Sequence, residues 1–275
     1  VPTMTEPPLP DPALSADELQ WIGIGVLRTD ILTMYYEGSN IVDYRDLPIP
    51  ESFAIEGGGS AAFEFTSSAH PDDFEAFVFA TKITMTDKTG QAKVIDTPAN
   101  VGSAEMAVRI GDFILPVSYA DEQTVLYADL TKSLGEPPDQ SDSKTGAGSE
   151  WSLKIAGTIR IMNYDALKVV LFQPDTLAGT DRWFCMELRV SANDLDGPGG
   201  IRCGMSRQET VHQLSSGAFQ YATLYDWNGD SWIAFAKGQI SSQNKIAAQM
   251  WLRWENGQLA EMIIILQGGA FGSMG

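Results

Sequence analysis

The stretch Ala247-Ala-Gln-Met-Trp-Leu-Arg-Trp-Glu-Asn256-Gly257-Gln-Leu-Ala-Glu-Met-Ile-Ile-Ile-Leu266 decides the fold. Asn-Gly is a strong two-residue hairpin signal, because both turn positions need positive φ and these two residues tolerate it. The runs on either side, Ala247–Trp254 and Gln258–Leu266, are rich in bulky apolar residues and have strand length. Counting outward from the turn sets Trp254 opposite Leu259 and Trp251 opposite Met262. Apolar residues then occupy both faces, so the hairpin is predicted to lie inside a sheet and not at its edge.

The same grammar runs through the chain. Asn228-Gly229 predicts a second hairpin, between Ala218–Tyr225 and Ser231–Ile240. Asp87-Lys-Thr-Gly90 predicts a third, between Phe74–Met85 and Gln91–Ile95. Further strands are expected at Ile31–Tyr36, Phe53–Ile55, Ala61–Thr66, Met106–Ile110, Phe113–Tyr119 and Thr124–Leu130. The second half adds Trp151–Met162, Lys168–Phe172, Arg182–Val190 and Gly200–Met205. From Trp21 onward, Ile22, Ile24 and Val26 alternate with Gly23 and Gly25 in a β-like pattern. Ser15 and Glu18 have capping-box spacing for one helical turn to Gln20. Neither half reads as holding an amphipathic helix of normal length.

This predicts an all-β protein, an antiparallel, jelly-roll-like β-sandwich. An extended Pro-rich N-terminal arm spans residues 1–20, with Pro2, Pro7, Pro8, Pro10 and Pro12 excluding helix and central strand from its start. A β-rich first half follows over 21–130 and a second over 151–275. Between them, 131–150 has almost no large aliphatic side chain after Leu134 and reads as a surface loop or linker. The halves form one composite domain or two sandwich domains. With 275 residues the chain builds a sizeable core without metal or disulfide support.

Net charge is −18, from 36 acidic and 18 basic residues. Such a surface repels phosphate backbones, and Lys154, Arg160 and Lys168 are scattered, so no sequence-specific nucleic-acid partner is expected. No apolar run is long enough for a transmembrane helix. No signal peptide is visible, and the chain opens on Val1, as a product cut from a precursor or stripped of a leader would. Cys185 and Cys203 are too few to set a redox compartment, and a disulfide between them is geometrically possible.

Catalytic chemistry is thinly supplied. His70 precedes Pro71 in a loop, and His212 sits in Gln208–Ser215 beside no obvious nucleophile. No Gly-x-Ser-x-Gly elbow accompanies them. Asp226-Trp-Asn-Gly-Asp230 and Asn193-Asp-Leu-Asp-Gly197 are acidic turns. Asp194, Asp196, Asp226 and Asp230 are calcium candidates if another loop converges on them. Gly57-Gly-Gly59 is a corner, with no Lys-Ser/Thr following to make a phosphate cradle. Trp227, Trp232, Trp251 and Trp254 cluster near the hairpins, as core anchors or as stacking surfaces for a glycan.

The segment Ser67-Ser-Ala-His-Pro-Asp72-Asp73-Phe74-Glu-Ala-Phe-Val-Phe79 is a turn followed by a strand with an acidic entrance. Adjacent carboxylates on a strand point to opposite faces, so Asp72 and Asp73 do not automatically form an acid/base pair. The triplet resembles the Asp-Asp-Phe strand of dicistrovirus-like and marine picorna-like virus capsid proteins. There it lies near the last strand of the jelly roll; here most of the chain follows it. The resemblance implies a jelly-roll shell protein of the virion, with Asp72, Asp73 and Phe74 in a precursor-cleavage motif. It implies copies of itself and sibling capsid proteins as partners, and a host receptor or glycan as a further contact. A shell protein of this kind is not an enzyme, and calcium is its one candidate cofactor. The alternatives are a spike, adhesin or lectin-like module using exposed aromatics, and a β-sandwich hydrolase.

Overall fold

The computed structural model describes residues 11–37, 49–65, 78–96, 106–145, 155–216, 219–222, 233–237 and 247–267. The chain divides into two compact units, Val1–Pro98 and Ala99–Gly275. Both are built on antiparallel sheets, so the all-β class and sandwich-like architecture hold. No helix among the described residues is long and apolar enough to cross a membrane.

In the first unit α1 (Ala16–Leu19) forms where the capping box predicted it. The Ser15 N–H donates to the Glu18 carboxylate and the Glu18 N–H to the Ser15 hydroxyl. The stretch read as alternating is not a strand. Trp21 and Ile24 are buried in turns, and Val26 in an isolated bridge where its carbonyl accepts the Ala80 N–H at 2.9 Å. Ile31–Tyr36 is also corrected, because it belongs to helix α2 (Arg28–Tyr35), which buries Ile31, Leu32 and Met34. Those positions sit on one helical face, a spacing that strand alternation cannot produce.

A four-stranded sheet follows, in the order β1 (Phe53–Ala54), β2 (Ser60–Phe65), β3 (Ala80–Thr86), β4 (Ala92–Asp96). Its inner face carries Phe53, Ala61 and Ile83. Phe53 packs edge-on against Tyr35 of α2 and against Phe63, each at about 5 Å between ring centres. The predicted Asp87–Gly90 turn closes β3 onto β4. The Asp87 carboxylate accepts from the Thr89 hydroxyl, the Thr89 N–H and the Gln91 N–H.

The second unit opens with the hairpin β5 (Ala107–Ile110) and β6 (Phe113–Pro116). Thr124–Leu130 yields only the short strand β7 (Val125–Leu126) before helix α3 (Tyr127–Leu134) takes over. Tyr127, Leu130 and Leu134 recur at helical spacing, and Gly135 ends the helix at φ +82°. Its N-terminus is capped from far along the chain, the Ala128 N–H donating to the Asp181 carboxylate at 3.1 Å.

The large sheet runs β12 (Gln220–Ala222), β13 (Ile233–Lys237), β14 (Ala247–Glu255), β15 (Gln258–Gln267), β11 (Arg182–Val190), β10 (Leu167–Pro174), β9 (Gly157–Asn163), β8 (Asp139–Lys144). Strand β8 comes from the stretch read as loop or linker. Its side chains are all exposed, so only its backbone pairing with β9 makes it a strand. Gly200–Met205 is not a strand, and helix α4 (Arg207–Ser216) follows it where the sequence pattern predicts no helix of normal length. Consecutive strands are neighbours except after β11. There the chain passes through α4 to the edge strand β12, then returns until β15 lies beside β11, a Greek-key return widened by one strand.

The founding hairpin is central, as predicted. Asn256 and Gly257 both have positive φ, at 52° and 78°. Trp254 faces Leu259, but Trp251 faces Ile263 and not Met262. A bulge at Arg253/Trp254 leaves Ala260 as the extra residue and shifts all later pairs by one. The shift matters, because it stacks Leu252–Met262 and Met250–Ile264 on the buried face.

Candidate functional site

Register defines the half-exposed face of the large sheet. Asp139, Asn163, Lys168, Arg189, Ile263 and Trp251 form one row across six strands. The neighbouring row is Ser141, Ile161, Val170, Glu187, Ile265 and Gln249. Residues two apart on a strand share a face, so the two rows form one patch. It grades from acidic at β8, through cationic at β10 and β11, to aromatic at β14.

Glu187 is the centre of this patch and is only 2% exposed. Arg189 Nε donates to its carboxylate at 2.5 Å, and Lys168 Nζ lies 3.7 Å away. Both cations keep part of their surface in water while neutralising a charge the sheet has buried. Next to Ile265, the Gln249 side-chain oxygen is buried without a hydrogen-bond partner. Trp251 is half-buried at the end of the row, whereas Trp254 is 1% exposed and belongs to the core.

A second polar cluster lies on the opposite face, beside α3. Arg160 on β9 donates to both oxygens of Asp142 on β8, at 2.8 and 2.7 Å. Its guanidinium also sits 4.6 Å from the ring centres of Tyr127 and Trp183. The hydrogen bonds from Arg160 hold the Asp142 carboxyl below its usual range. This clamp fastens the otherwise polar edge strand to the sheet.

The residues singled out in the sequence do not converge. Asp72, Asp73, Phe74, His70, Asp226, Asp230, Trp227 and Trp232 lie outside the described residues. Asp194 is exposed, and the Asp196 carboxylate is taken by the Arg202 guanidinium. The Asp196 carbonyl accepts from the Arg109 N–H at 2.7 Å. Among the described residues, no group of three or more His, Cys, Asp or Glu is placed to hold a metal ion. His212 is exposed on α4, where its carbonyl accepts from the Ser216 hydroxyl.

Cys185 and Cys203 are free and buried, so the two thiols do not form a disulfide. Cys185 Sγ faces the Glu187 carbonyl and Cys203 Sγ the Val190 carbonyl. Burial pushes the Cys185 thiol far above its ordinary range and Cys203 up to about 11. Neither is a thiolate at neutral pH, so neither is poised as a nucleophile.

No known family, curated protein or solved structure matches the chain. Its chemistry rests on its own residues. Helix α4 carried a legible signal that strand reading passed over. Ser206 and Glu209 repeat the capping box of Ser15 and Glu18, with the Ser206 N–H donating to Glu209 and the Glu209 N–H to the Ser206 hydroxyl. Glu187 had no such signal, since an isolated Glu in an apolar strand says nothing of which cations lie across the sheet.

Proposed function

We propose that the protein is a structural subunit of a viral shell, which assembles with copies of itself and sibling capsid proteins around a genome. The observation that carries this reading is the use the fold makes of its reactive side chains. Glu187 is neutralised within the sheet, Arg160 clamps an edge strand, and both thiols are buried and protonated. Side chains committed to holding strands together suit a protein whose work is assembly and not turnover. The antiparallel sheets and the resemblance at Asp72-Asp73-Phe74 support the same reading. Shell formation proceeds by burying modest interfaces repeated over many symmetry-related copies. The charge of −18 faces outward or is offset by cations such as calcium between subunits. Sedimentation velocity and electron microscopy of the full chain test this. Particles or ring-sized oligomers are expected, and a monomer at every concentration, with and without calcium, overturns it.

A second reading rests on the graded patch. Half-buried Trp251 shares a row with Arg189 and Lys168, an apolar platform flanked by hydrogen-bond donors. Such a platform suits a glycan on a host surface. Glycan-array binding that Trp251→Ala abolishes supports contact through this face. Binding that is unchanged in that variant moves it elsewhere.

A further inference from the structure

We infer that the first unit binds a small aromatic carboxylate in a pocket at the turn end of its four-stranded sheet, with the ring against Met85 and the Gly57-Gly-Gly59 corner and the carboxylate on Lys93. Such binding is independent of shell assembly.

Sheet register builds this pocket. Phe53, Ala61, Met85 and Lys93 form one row across the inner face. Burial falls along the row, from Phe53 at 1% and Ala61 at 0% to half-buried Met85 and exposed Lys93. The core thus runs out before the row ends, and a pocket of about 640 Å³ opens there. Its walls include Ile55, Gly58, Met85, Asp87, Gln91 and Lys93. That volume lies within the range of small-molecule sites. Strands β2, β3 and β4 join the rest of the chain at the opposite end of the sheet, through Phe65, Ala80 and Asp96.

The glycine corner keeps the space open. The Ile55 N–H donates to the Gly59 carbonyl at 3.2 Å, and the Gly58 N–H to the Ile55 carbonyl at 3.0 Å, which folds the corner back on Ile55. Gly59 has φ +107°, and a Cβ there would lie 2.5 Å from the Thr86 carbonyl oxygen. Only glycine lets the corner rest this closely on the end of β3. Gly58, at φ +104°, then presents bare peptide to the pocket, a flat wall with no side chain to fill it.

The lining selects the ligand. Ile55 and the Met85 thioether offer an apolar surface, and sulfur packs well at the edge of an aromatic ring. A flat peptide wall suits a planar body. Charge then selects an anion. Among the described residues Lys93 makes no hydrogen bond or salt bridge, whereas Lys82, on the outer face, is held by Glu64 at 2.7 Å. Asp87 also lines the pocket, but its carboxylate already accepts from the Thr89 hydroxyl, the Thr89 N–H and the Gln91 N–H. Lys93 is therefore the uncommitted charge, and the Gln91 side chain adds a neutral donor beside it.

The test uses the full chain with isotope-labelled methionine methyl groups, read by NMR, and naphthoate as the probe. Of the ten methionine signals, the one missing from Met85→Leu should show a saturable ring-current shift as naphthoate is added to the wild type. Lys93→Gln should weaken binding by up to about fivefold, as for an exposed ion pair. Lys93→Arg should keep it, and Lys132→Gln, the same loss of charge in the second unit, should leave it unchanged. Naphthylmethanol, with the ring but no charge, should bind more weakly than naphthoate. Octanoate, with the charge but no ring, should not displace naphthoate at equal concentration. A Met85 signal that does not shift overturns the site. Equal affinity in Lys93→Gln overturns the charge contact, and displacement by octanoate overturns the aromatic assignment.

Discussion

Gly157 offers the sharpest test of how the large sheet is packed. It opens β9, where its N–H donates to the Thr145 hydroxyl at 2.8 Å and its carbonyl accepts the Thr145 N–H at 3.1 Å. A Cβ added there would lie 2.4 Å from the Gln173 carbonyl oxygen and 2.5 Å from the Phe172 ring. Carbon contacts are favourable only from about 3.5 Å, so the shortfall is about 1 Å. Neither neighbour can yield. Phe172 is 0% exposed, and Gln173 is held in the ladder opposite Thr158. Overpacking of this kind costs about 2–3 kcal/mol, and disturbing the Thr145 bonds about 1 kcal/mol more. Gly179→Ala is the control. Its Cβ meets nothing within 4 Å, but its φ is +82°, a conformational cost of about 1–2 kcal/mol. Both variants change the unfolded chain in the same way, so their difference, about 2 kcal/mol, isolates the steric effect. Urea unfolding followed by circular dichroism and tryptophan fluorescence reads it, with transitions fitted separately because two units need not unfold together. A Gly157→Ala midpoint no lower than that of Gly179→Ala would refute the packing argument.

Three further outcomes follow from the clusters described above. Glu187→Ala should destabilise the second unit by about 2 kcal/mol, below the usual cost of breaking a buried pair because Lys168 and Arg189 can rehydrate; a change under about 0.5 kcal/mol in urea midpoints refutes it. The folded-state Asp142 carboxyl lies below its unfolded value, so its stabilisation is present above the unfolded pKa and lost as pH falls through the folded one. The stability gap between wild type and Asp142→Asn should therefore shrink on acidification from about pH 5 to about pH 3, and a constant gap contradicts the Arg160 clamp. Iodoacetamide at neutral pH should leave Cys185 and Cys203 unmodified in the folded protein and alkylate both in urea, as mass spectrometry would show; rapid labelling of either in the native state refutes their burial.

Sequence by itself determined what depends on neighbours in the chain. Asn256-Gly257 and Asp87–Gly90 fixed two turns because positive φ and short-range carboxylate bonds are local properties. Ser15 and Glu18 fixed the start of α1 for the same reason, and long apolar runs made β10, β11, β14 and β15 legible. Only tertiary structure decided the rest. The bulge at Ala260 rotates Trp251 to face Ile263, a choice made by which side chains fill the core across β14 and β15. Strand β8 exists because β9 pairs with it and Arg160 pins it, while its own residues favour a loop. Helix α3 takes its cap from Asp181, 53 residues beyond Ala128. The Glu187 cluster draws its charges from two strands that only sheet register brings together. Hydrogen-bond direction alternates along a ladder, and no single side chain records its register.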